Sequence, residues 1–137
     1  MVLIRLPRFL AVFLLAAAIR PSSASESFPF GSELMLDDAP MQGSKRVPMI
    51  EIEETGAASI DLWCASLRAQ ATIDGDSITI VPSQVQNDTS GGQCEEDRHA
   101  SDATLLTALA QATSWRRVGE AIELSGTTTL RFRQMTN

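Results

Sequence analysis

The chain has 137 residues, 44% of them apolar and 20% charged, with 17 acidic against 11 basic side chains and a net charge of −6. That length favours one domain. An excess of acid is repelled by phosphate backbones and by anionic headgroups, so nucleic acid and anionic membranes are poor partners.

In chain order, residues 1–24 read as a secretory signal peptide. MVLIRLPR is basic, FLAVFLLAAA is an unbroken apolar run, and Ser22-Ser23-Ala24 ends in a small-x-small pattern. A spanning helix needs about 20 apolar residues, and Arg20 interrupts this run too early. Cleavage is therefore expected after Ala24, giving a periplasmic or secreted protein without stable membrane insertion. Losing Arg5, Arg8 and Arg20 but no acid takes the basic count from 11 to 8 against 17 acids, a net charge of −9. Such acidity serves solubility.

Residues 25–30, SESFPF, read as a short mobile lead-in to a domain over residues 31–137. SELML places Leu34 and Leu36 on one face of a short strand. Ile50 and Ile52 alternate with Glu51 and Glu53 in a second. In AASIDLWC the apolar residues are Ala58, Ile60, Leu62 and Cys64, at even positions; in LRAQATI they are Leu67, Ala69, Ala71 and Ile73, at odd ones. With a period of two, that flip demands a turn or bulge after Cys64. Trp63 falls on the face opposite Ile60 and Leu62, where it either forms a contact surface or packs under the helix or the lead-in. Asp74-Gly75 is a tight hairpin turn into SITIV.

Residues 83–93 read as a polar loop ending at Cys94. One helix follows, with Ser101 as its cap, Asp102 at its positive end, and Leu105, Leu109 and Ala112 as an apolar stripe. Three short strands, SWRRV, AIEL and TTLRFR, close the chain. The predicted fold is β-rich α+β: a β-meander wrapped round one helix.

Two cysteines in an exported chain read as a structural disulfide, Cys64 to Cys94. Zinc would want further cysteines or histidines. His99 is the single histidine, with Asp97, Ser101 and Asp102 within a few residues of it on one helix start, whereas catalytic triads join separated segments. It reads as a solvated helix-end residue. Asn87, Asp88, Glu95, Glu96 and Asp97 could gather round calcium, but they lack EF-hand spacing and read as a solvated loop. Arg116, Arg117, Arg131 and Arg133 read as solvated strand faces or a small basic patch. No catalytic residue, metal ligand or cofactor is expected.

This layout resembles the META domain family of heat-inducible envelope proteins. The resemblance rests on Cys94, the Leu105-Leu106 pair, Ala108-Leu109, Thr113-Ser114-Trp115, Gly119-Glu120 and the final L-R-F strand. Cys64 and the Asp74-Gly75-Asp76 hairpin carry the other half. Trp63, Ala65, Ala69 and Ala71 depart from the glycine, asparagine and tyrosine usual in the family. The resemblance implies a curved and twisted, partly closed, barrel-like antiparallel sheet packed on one helix that closes it, and no catalytic residues. The function expected is a monomeric envelope module, stress-protective or protein-binding, whose partner is an envelope or secreted protein. A carrier of a small apolar ligand inside the curved sheet and a secreted hydrolase inhibitor are the alternatives.

Overall fold

A computed structural model describes residues 27–83, 87–88 and 94–136. The signal-peptide segment lies outside the described residues. Among those residues there are nine strands and one helix: β1 (Leu34–Leu36), β2 (Met49–Ile52), β3 (Ala57–Asp61), β4 (Ala65–Asp74), β5 (Ser77–Pro82), β6 (Asn87–Asp88), α1 (Glu96–Gln111), β7 (Ser114–Val118), β8 (Ala121–Ser125) and β9 (Thr129–Gln134).

Eight strands close into an antiparallel barrel in the order β3-β2-β1-β9-β8-β7-β5-β4, with β4 returning to β3. Alternation sets which face turns inward. Along β4, Ala65, Leu67, Ala69 and Ala71 are buried while Arg68, Gln70 and Thr72 are exposed. Closure joins distant segments: β1 pairs with β9 through Leu34↔Gln134, Met35↔Arg133 and Leu36↔Phe132. The seam between β5 and β7 is short, a single pair Ser77↔Ser114, flanked by Ile78 N–H donating to Thr113 O and Trp115 N–H to Asp76 O. Gly75, at φ +59°, lets the β4–β5 hairpin turn where a Cβ would be strained. The loop expected over 83–93 contains β6, which adds to β4 through Ala65↔Asp88 and Ser66↔Asn87.

The helix begins earlier than the sequence suggests. It starts at Glu96, with Glu95 as N-cap and no side-chain capping bond. Ser101 and Asp102 therefore cap nothing; they sit in the second turn. Residues 96–101 bury no apolar side chain, so periodicity gives no sign of this turn. Its acids Glu96 and Asp97 suit the positive end of the helix. Leu105, Leu109 and Ala112 join Ala65, Ala69 and Ala71 in one buried cluster.

The lead-in is also corrected from Phe28 onwards. Phe28 is buried, its ring edge-on to Trp115 with centroids 5.1 Å apart, and Phe30 packs against it at 5.2 Å. Gly31 N–H donates to Ile52 O. Phe28, docked on Trp115, and Phe30, packed against Phe28, lose exposed apolar area, and that outweighs the freedom of so short a segment.

Candidate functional site

Leu62, Trp63 and Cys64, between β3 and β4, and Ala65, the first residue of β4, are four consecutive buried residues. This is where the alternation changes phase. A buried turn leaves backbone N–H groups without strand partners, and each must find an acceptor. Leu62 N–H bonds to Ala65 O. The other three donate to one side chain on α1: Trp63 N–H to Asp102 Oδ1 at 2.8 Å, and Cys64 and Ala65 N–H to Asp102 Oδ2 at 3.0 and 3.2 Å. Successive amides converging on an anion form a nest. Burial pushes the Asp102 carboxyl above its ordinary value, and the three amides and the charge of His99 only partly offset this.

The same turn places Cys64 opposite Cys94, two residues ahead of α1, with Cα atoms 5.8 Å apart. That is disulfide distance, and a disulfide suits an oxidising compartment. His99, exposed on α1, is the third member of this cluster: its ring nitrogen and the two sulfurs lie within 4.8 Å of one another. The solvated helix-end histidine of the sequence thus stands beside the cysteine pair. Glu95, Glu96 and Asp97 are exposed at the helix start.

Trp63 is buried, only 8% exposed, and among the described residues its indole Nε1–H has no hydrogen-bond acceptor. It lines an open groove of about 720 Å³ between α1 and the β1–β9 edge. Leu36, Leu105, Ala108 and Leu130 supply apolar walls, while Asp37, Asp38 and Arg131 contribute polar groups. A second groove, about 610 Å³, runs along Phe28, Phe30 and Trp115 beside Arg116 and Arg117. Trp115 differs from Trp63 in having its Nε1–H satisfied, by Gly75 O at 2.8 Å.

The arginines of the expected basic patch are paired. Arg116 and Arg131 both bind Glu123, at 2.8 and 3.1 Å, and Arg131 and Arg133 reach Asp37 at 3.3 and 3.0 Å. Arg117 Nη1 donates to Gln134 Oε1 at 3.1 Å. The Arg116 guanidinium, hydrogen-bonded to Glu123, holds that carboxyl below its ordinary value, with Arg131 adding to the effect. This face is a cross-strand ion-pair ladder in which acid offsets base.

Asp102 is the residue that sequence reasoning misassigned, although a signal for it existed. It stands three residues before Leu105 and seven before Leu109, in phase with the apolar stripe. An acid on a buried helical face implies a buried donor set to receive it. The placement of His99 beside the cysteine pair had no such signal, since Cys64 lies thirty-five positions away.

The META domain family model matches residues 31–136. No curated protein matches the chain. A solved structure, described only as an NMR structure of a protein, shares the fold at 14% identity, with a TM-score of 0.54 over 74% of this chain and 87% of that one.

Proposed function

Starting from the fact that the chain belongs to the META domain family, we propose an exported, non-enzymatic binding module that meets an envelope or secreted protein along the α1/β1–β9 groove. The family is not known as enzymatic. The groove with Trp63 at its side is the observation that carries this proposal. A partner segment entering the groove packs beside the ring, while Leu36, Leu105 and Leu130 take its apolar side chains. Envelope stress protection is the setting we assign, with the partner segment an extended stretch of another protein. A hydrolase as partner is the inhibitor version of the same contact.

A carrier function is disfavoured by the way the core is filled. Alanines at 65, 69 and 71 leave room on the inner face of β4, and Leu105 and Leu109 belong to the same buried cluster as those alanines. Interiors pack to high density when an element can close in.

Photo-crosslinkers at Thr104 and Leu130, in the groove, and at Thr72, exposed on β4, test the proposal in an envelope fraction. The two groove positions capture one common protein that Thr72 does not capture. The same proteins captured from all three positions contradict it. An apolar small molecule seen by native mass spectrometry and lost in Ala71→Tyr establishes the carrier instead.

A further inference from the structure

We infer that the reduced form of this protein binds one cuprous ion through Cys64, Cys94 and His99. The three ligand atoms already lie within 4.8 Å of one another, and sulfur and imidazole are the donors that favour soft ions. The usual objection to a metal site at a disulfide is that opening the bond lets the cysteines drift apart. Here the Cys64 turn is fastened to α1 independently of the bond, through the three amides held by Asp102. His99 rides on that helix, three residues from Asp102. Cys64 and His99 therefore keep their spacing when the sulfurs separate. Cys94 stands just ahead of the helix N-terminus, where the helix field favours a thiolate.

The chemistry balances in two steps. A dithiol reductant gives two electrons and two protons to the Cys64–Cys94 bond, leaving two thiols and its own disulfide. The cuprous ion then takes both sulfurs and a neutral imidazole nitrogen, and the two thiol protons leave to solvent. Three donors suit cuprous copper better than zinc, whose structural sites are four-coordinate, and the cluster among the described residues has three. The oxidised protein has no thiolate to offer, so binding is gated by the redox state of the pair.

Anaerobic titration of the exported chain, oxidised and reduced, against the cuprous–bicinchoninate complex tests this, with X-ray absorption to identify the ligands. The reduced protein takes up one equivalent with two sulfurs and one nitrogen on copper, and the oxidised protein takes none. His99→Ala, a change at an exposed position, keeps the fold and weakens binding at least ~10-fold. Equal uptake by oxidised and reduced protein overturns the inference, as does unchanged affinity in His99→Ala. So does a preference of the reduced protein for zinc, or a reduced chain whose circular dichroism is that of an unfolded protein with copper present.

Discussion

Two carboxylates in this barrel each accept three hydrogen bonds, yet they hold very different things together. Asp102 receives three backbone amides inside the molecule. Glu123 receives three guanidinium N–H groups on the outer face, two from Arg116 and one from Arg131. The Glu123 side chain is itself 12% exposed, but its partners Arg116 and Arg131 are 70% and 47% exposed, so water takes up the guanidinium donors that a broken bond releases. Asp102 is only 5% exposed, and a lost acceptor strands three donors. The number of bonds is the same; burial decides what each is worth.

Asp102→Ala should give the largest effect. Stranding three buried amides costs about 3 kcal/mol or more, a large part of the roughly 5 to 15 kcal/mol available to a domain. Urea unfolding of this variant checks it. Asp102→Asn keeps one acceptor oxygen and should lose less. The raised carboxyl value shows that the buried charge is costly even though the acceptors are required.

Loss of the Cys64–Cys94 bond comes next. The cysteines are 30 residues apart, so Cys64→Ala should lower stability by about 3 to 4 kcal/mol in the chain-entropy picture, read from the same denaturant curves. Alkylation of the denatured, unreduced protein should label neither cysteine.

Gly126→Ala ranks third. A Cβ there meets the Gln111 carbonyl and the Ala112 backbone at the end of α1, so the helix end must move. We expect a loss of about 1 to 3 kcal/mol, measured as a lowered melting temperature.

The smallest stability change belongs to Glu123→Gln, which should be hard to resolve at moderate salt. Its signature lies in pH dependence. A folded-state value held below the unfolded one gives stability that is present above the ordinary carboxylate value and lost as pH falls through the lowered value. Asp102 has the opposite sign. Its raised value gives a contribution present below the unfolded carboxylate value and lost as pH rises through the folded one. Difference curves of stability against pH, each variant minus the parent, should therefore slope in opposite directions for Glu123→Gln and Asp102→Asn.

The same contrast explains what the sequence made legible. Strand positions were readable because alternation is local: β4 and β5 fall where Leu67, Ala69, Ala71, Ile78 and Ile80 predict them. Closure of the barrel was legible only through the family resemblance, because β1–β9 pairing joins residues about a hundred positions apart and no local pattern encodes it. Trp63 was left between surface and core because period-two counting fails in a turn whose three residues, Leu62, Trp63 and Cys64, are all buried. Asp102 was read as a helix-end acid because its partners are backbone amides, and amides have no letter in the sequence.

Native-state hydrogen exchange of the Trp63, Cys64 and Ala65 amides tests the Asp102 clamp most directly. These amides lie at or beside a turn, where exchange is ordinarily fast, but here each is bonded and buried. They should be protected to the level of the Ala69 and Ala71 amides in β4, and in Asp102→Ala they should exchange ahead of that strand. Exchange in the parent protein as fast as at the exposed Gly75 turn would contradict the clamp.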